Sequence, residues 1–176
     1  MATTTSIVTA VNNVLFNNFL AADGVIARVR DAQTAICTDF GGLSIPAGAT
    51  IDGIEVLLKG TAIDTNHDTA VGDWIHVSND GGSSWSTAQS VTTGPWIAYP
   101  GTAAVETAGG TSDLWGLSWN ATTAAAIQVK MEWSTSGGDA VFLDYVKVRI
   151  TYTAAAAIPK SLTINGVATI NGQLTI

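Results

Sequence analysis

The sequence predicts an all-β protein: an antiparallel β-sandwich, jelly-roll-like, with an extended N-terminal segment and a C-terminal β-arm. Three observations carry this. Apolar residues recur with a period of two in several short runs, the spacing of a strand whose side chains alternate between two faces. Gly, Pro and Asn clusters separate those runs at intervals of about ten residues. No stretch sustains the 3.6-residue apolar period of a long helix, so sheets must supply the packing.

The strongest run is Phe142–Tyr152. Val146, Val148, Ile150 and Tyr152 point one way, and Tyr145, Lys147, Arg149 and Thr151 the other. Its β-branched and aromatic residues suit a pleated, half-buried surface, and neither Gly nor Pro interrupts it. It reads as a central strand. Asp144 falls in phase with the apolar face, and is expected at the strand's start, bonded to turn amides.

Taken in order, residues 1–34 form an N-terminal arm or irregular leading segment packed on the domain or a neighbour. Val8, Val11, Leu15 and Phe19 approach helical spacing, but Asn12, Asn13, Asn17 and Asn18 compete for backbone hydrogen bonds and oppose a helix. Val25–Arg30 fits a short strand. The sandwich domain spans residues 35–153. Ala35–Phe40 reads as a strand closed by Gly41-Gly42, and a Pro-Gly turn leads into a strand from Ile54 to Lys59, with Ile54, Val56 and Leu58 on one face. Trp74–Ser78 follows a polar loop and carries Ile75 and Val77 on one face. Weaker strands fall near Gln89–Val91 and Ala103–Thr107, Leu114–Trp119 is a strand or its approach, Ala121–Ala126 is one helical turn, and Ile127–Trp133 alternates cleanly.

After Tyr152 the character changes. Residues 154–160 read as a linker, and residues 161–176 as a β-arm in which Thr-Ile-Asn-Gly occurs twice. Asn-Gly is the preferred type I′ turn pair. Strands so short are not stable alone in water, so Leu162, Ile164, Val167, Ile170, Leu174 and Ile176 need a partner to cover them.

Composition limits the function classes. Charged residues make up 12% of the chain, about half the usual share of roughly 25%. A polar but weakly charged surface suits contact with other subunits. A net charge of −7 with seven basic residues cannot neutralise many phosphates, which argues against nucleic acid. Cys37 is a single cysteine in an apolar run, an inert core thiol that excludes an internal disulfide framework. The first residues lack a basic region followed by an apolar run, so no signal peptide is expected, and no apolar stretch approaches membrane-spanning length. The expectation is folding in the cytoplasm.

Motifs that carry catalysis, such as G-x-S-x-G, H-E-x-x-H or a P-loop, do not occur, and no enzyme activity and no cofactor is assigned. Asp64, His67, Asp68 and Asp73 share one loop and could hold a divalent cation, but their spacing matches no EF-hand, so a solvated acidic loop is expected. His76 has no partner that spacing identifies. Of six tryptophans, Trp133 is in phase with core residues, Trp85 belongs to the hairpin, and Trp96, with Tyr99, lies in a Gly- and Pro-rich loop and is the candidate for stacking on a sugar; core or interface packing is the favoured reading over a sugar platform.

Ser78-Asn-Asp-Gly-Gly-Ser-Ser-Trp85 resembles the Asp-box of sialidases, a structural hairpin even in those enzymes. In this reading Asp80 accepts from turn amides, Gly82 supplies unusual φ and Trp85 packs beneath. The runs Phe40–Val56, Ser78–Trp85, Leu114–Trp119 and Leu143–Tyr152 together resemble a β-sandwich module of tailed-phage structural proteins, found also in some bacterial surface proteins, and the Thr-Ile-Asn-Gly repeats resemble trimeric fibre and decoration sequences. The resemblance implies a virion structural protein: a capsid decoration (cement) protein, assembled in host cytoplasm, binding the major capsid protein on the outer capsid surface as a homotrimer through its arms. The alternative is a phage tail or fibre component, or a secreted module, that binds host glycans. No membrane partner is expected.

Overall fold

The computed structural model describes residues 1–11, 27–30, 34–62, 74–90, 104–132 and 140–156. Among them nine strands and one short helix follow in the order β1 (Ala2–Val11), β2 (Ala27–Arg30), β3 (Thr34–Phe40), β4 (Thr50–Ala62), β5 (Trp74–Ser78), β6 (Gln89–Ser90), β7 (Ala104–Gly110), α1 (Ala121–Ala125), β8 (Gln128–Glu132) and β9 (Ala140–Thr153). Every pairing among the described residues is antiparallel, and the fold is an all-β sandwich.

The first sheet runs β1-β9-β4-β7, with β2 pairing β9 beyond the end of β1. The second runs β3-β8-β5-β6. β1 joins them: Ala2–Ile7 pair with β9, and Val8–Val11 pair with β3. This is the largest difference from the sequence reading, which left residues 2–11 in an irregular leading segment. Thr and Val there have high strand propensity. The partners of Ala2–Ile7 lie more than a hundred residues away in β9, so no local pattern reveals that pairing.

The core lies between the sheets. Ile54, Val56 and Leu58 of β4 face it with Val146, Val148 and Ile150 of β9, and each is at most 1% exposed. Direct register places Ile54 against Ile150, Val56 against Val148 and Leu58 against Val146, so the period-two pattern of both strands buries one continuous stripe. From the other sheet come Ala35, Cys37, Ile75, Val77, Val129 and Met131. Fully burying a side chain of this size contributes roughly 1.5–3 kcal/mol, which makes the β4–β9 stripe the main stabilising unit. Burial also pushes the Cys37 thiol far up from its ordinary range.

Two bulges interrupt the β4–β9 ladder. Ile51 pairs with Tyr152 and Gly53 with Thr151, which leaves Asp52 as an extra residue on β4; its carboxylate accepts from Thr153 Oγ1 at 2.8 Å. Lys59 pairs with Tyr145 and Gly60 with Leu143, so Asp144 is the extra residue on β9. The bulge resets the strand's phase, and Leu143 and Val146 are both fully buried. Asp144 therefore does not stand at the strand's start, where the sequence reading puts it. It lies inside β9, 2% exposed, and accepts from Lys59 Nζ at 2.9 Å. On the outer face, Arg149 makes a two-pronged contact with Glu55, its cross-strand neighbour, with Nε donating to Oε2 at 2.6 Å.

Residues 111–120 are turns and irregular backbone, so Leu114–Trp119, read as a strand or its approach, contains no strand. Trp115 sits at φ +58 and is 3% exposed. Its backbone N–H donates to Asp113 Oδ1 at 2.7 Å and its indole N–H to the Ile54 carbonyl at 3.0 Å. Gly109 makes room: at φ +80, a Cβ there would lie 2.3 Å from Ile54 O and within 2.9 Å of the indole. Gln89 closes this corner by donating to Asp113 and accepting from the Gly109 N–H. Asn120 then caps α1, accepting from the N–H groups of Thr122 and Thr123 while Thr123 Oγ1 accepts from the Asn120 N–H.

Candidate functional site

The Ser78–Trp85 hairpin, which resembles an Asp-box in sequence, is closed by its own side chains. Ser78 Oγ donates to Asp80 Oδ1 at 2.8 Å and accepts from the Gly82 N–H at 2.8 Å. Asp80 also accepts from the Ser84 N–H at 3.0 Å and from Ser84 Oγ at 2.6 Å. The Ser84 donors, with Ser78 behind them, hold the Asp80 carboxyl at about 2, below its ordinary 3.8. Gly81 and Gly82 occupy positive φ. A Cβ on Gly82 would meet Gln128 Oε1 at 2.8 Å and the Trp85 ring at 3.4 Å, so the turn rests on that indole. Ser86 closes the base: its N–H donates to the Val77 carbonyl, and its Oγ accepts from the Val77 N–H. The side chains of Ser78, Asp80 and Ser84 serve the turn, and Asn79 Nδ2 ties it to the Ser118 carbonyl at 2.7 Å, which is an architectural role.

Strand alternation sends Ile75 and Val77 inward, so Trp74 and His76 emerge on the outer face of the second sheet with Lys130 and Glu132 of β8. Trp74 is 44% exposed. Its register partner across the ladder is Glu132; His76 stands opposite Lys130. Lys130 Nζ lies 2.9 Å from Glu132 Oε1, His76 Nε2 lies 3.3 Å from Oε2, and His76 Nδ1 donates to the Ser86 carbonyl at 2.9 Å. The Lys130 contact, ahead of His76, holds the Glu132 carboxyl below its ordinary range. Lys130 Nζ also sits 5.3 Å from the Trp85 ring centroid. His76 thus has the partners that spacing could not name. They arrive from β8 and from the base of the hairpin, both fixed by sheet register.

A third feature is the exit of the chain. β9 is the central strand of its sheet, and beyond it Thr153–Ala156 are exposed. A Cβ on Gly48 would lie 3.5 Å from the Ala155 Cβ, which places the exit beside the loop after β3. There an open hollow of about 430 Å³ is lined by Ile45, Ala47, Ala121, Thr122, Ala125 and Ala126.

The glycan candidates Trp96 and Tyr99, the arm residues Leu162, Ile164, Val167, Ile170, Leu174 and Ile176, and the loop residues Asp64, His67, Asp68 and Asp73 lie outside the described residues. Among the described residues no three His, Cys, Asp or Glu side chains gather as a cation site, and no helix is long and apolar enough to cross a membrane. Comparison with protein-family models, curated proteins and solved structures finds no match.

Proposed function

We propose that this chain is a virion structural protein, a capsid decoration (cement) protein that binds the outer capsid surface as a trimer and stabilises it through its arms. The observation that carries the reading is the exit of the chain. The most extensively paired strand, β9, delivers the backbone to an exposed end at Thr153–Ala156, and the sequence that follows has apolar residues in short runs that need a covering partner. An arm anchored by a central strand can transmit load to the body without unravelling its edge.

The alanine-floored hollow beside the exit is the surface this reading assigns to a neighbouring copy's arm. Small side chains let an extended backbone approach closely and lay its apolar residues against Ile45 and the alanines. Copies repeated on a lattice gain avidity without new contacts. The acidic balance of the chain suits an outer surface away from packaged nucleic acid.

The test is co-sedimentation with empty capsids. The full chain is expected to saturate the capsid surface, and a chain ending at Ala156 to lose at least tenfold in affinity while keeping its sandwich circular dichroism. Unchanged affinity in the shortened chain would remove the arm from the account.

A further inference from the structure

We propose that the outer face of the second sheet, around Trp74 and Glu132, is a binding site for neutral pyranose sugars. The proposed site uses no residue of the arm or of the Trp96 loop.

Register sets up the platform. Ser90 of β6, Trp74 of β5, Glu132 of β8 and Thr34 of β3 are direct cross-strand partners, so they form one row across four strands on one face. Neighbouring strands lie about 4.8 Å apart, so the row offers contacts over about 14 Å. Ser90, Trp74 and Thr34 are exposed, and the Glu132 side chain is 38% exposed. The row therefore combines one indole, one carboxylate and two hydroxyls, all open to a ligand lying flat on the sheet.

Behind this row stands a second one that fixes the carboxylate. Lys130 and His76 are more buried than Glu132, with side-chain exposures of 18% and 14%. Lys130 holds Oε1, and His76, whose Nδ1 donates to the Ser86 carbonyl, places Nε2 3.3 Å from Oε2, where it donates when the ring is protonated. A carboxylate has about four lone-pair sites, so one contact per oxygen leaves acceptor capacity on both. Glu132 is thus an oriented acceptor beside an exposed aromatic face.

Charge selects the ligand class. A cation would meet the fixed ammonium of Lys130 at 2.9 Å from the same carboxylate, and an anion would meet the carboxylate itself. A neutral polyhydroxylated ring avoids both. Its C–H face stacks on the Trp74 indole, adjacent hydroxyls donate to Glu132, and their oxygens accept from Lys130, Thr34 and Ser90. Hydrogen bonds to the ionised group are the stronger kind, and they set orientation while the indole supplies contact area.

The experiment displays the full chain to an array of neutral and acidic oligosaccharides, then titrates the best neutral oligosaccharide by tryptophan fluorescence. Binding to at least one neutral oligosaccharide is expected. Trp74→Ala should weaken it at least tenfold, Trp74→Phe less, because a ring remains, and Glu132→Gln several-fold. Both positions are on the surface, so the variants should melt close to the unchanged protein; if Trp74→Ala does not fold, the Phe and Gln variants decide. The proposal is overturned if the folded chain binds no neutral oligosaccharide, if only acidic ones bind, or if binding survives both Trp74→Phe and Glu132→Gln unchanged. It is likewise overturned if Trp74→Ala releases the chain from capsids without any sugar binding in the parent, since Trp74 would then be a protein-contact residue.

Discussion

Replacing Lys59 by Met removes the cation from a buried carboxylate and leaves the rest of β4 intact. Asp144 is 2% exposed and is held by Lys59 at 2.9 Å inside the β9 bulge. Removing one member of a fully buried pair costs about 3–5 kcal/mol, whereas a fully exposed pair contributes roughly 0.2–1 kcal/mol. The Lys59 side chain is 35% exposed, so water screens its end of the contact and the value must fall between these limits. We expect a loss of about 2 kcal/mol, equivalent to roughly 4–8 °C in Tm for a domain of this size. Urea unfolding followed by circular dichroism measures it, with an unchanged m-value because the core is untouched. The double variant Lys59→Met, Asp144→Leu should recover most of the loss, since no charge is then left buried. Alkali supplies a second check. The hydrogen bond to Asp144, and then its charge, raise the Lys59 ammonium above its ordinary 10.5. The pair's contribution is therefore complete below pH 10.5 and disappears as pH rises through the raised value. The gap between parent and variant should be constant from pH 6 to 9, then close in stronger alkali. A difference under about 0.5 kcal/mol at pH 7, the ordinary scatter of surface changes, would refute the reasoning.

Asp80→Ala should lower Tm at neutral pH by removing the acceptor that closes the hairpin. The parent should also lose stability relative to this variant as pH falls from about 3.8 toward about 2, because the folded carboxyl titrates below its ordinary value; identical acid profiles would contradict the hairpin assignment. Gly109→Ala combines a left-handed φ, about 1–2 kcal/mol for a side-chain-bearing residue, with overpacking against Ile54 O and Trp115, about 1–3 kcal/mol. Its urea midpoint should fall by the equivalent of at least about 2 kcal/mol. Cys37 should resist a thiol reagent in the native protein and react at once in urea, because its sulfur is fully buried; rapid native labelling would show that β3 opens.

The parts of the fold that sequence conveys are those in which local pattern and burial coincide. Val146, Val148 and Ile150 alternate because β9 has one buried face, and Ile75 and Val77 mark β5 for the same reason. The Asp-box is legible because its hydrogen bonds span only two to four residues, from Ser78 to Asp80 and from Asp80 to Ser84. Features set by distant register stay hidden. β1 needs β9 to be recognisable, and the Asp144 bulge exists only relative to Lys59 and Gly60 on another strand. Trp115 reads as a strand residue by composition, yet Gly109 and Ile54 hold it in a turn with its indole buried. Alternation places Trp74 on the face opposite Ile75 and Val77, while the extent of its exposure depends on what packs over β5. The expectation that residues 161–176 need a covering partner rests on their sequence pattern, and those residues lie outside the described ones.

The most direct measurement is the mass of the full chain in solution beside that of the chain ending at Ala156. The account predicts a trimer of 18.1 kDa chains, about 54 kDa, that becomes a folded monomer when the arm is removed. A full chain that runs as a monomer, or a shortened chain that still forms the trimer, would contradict it.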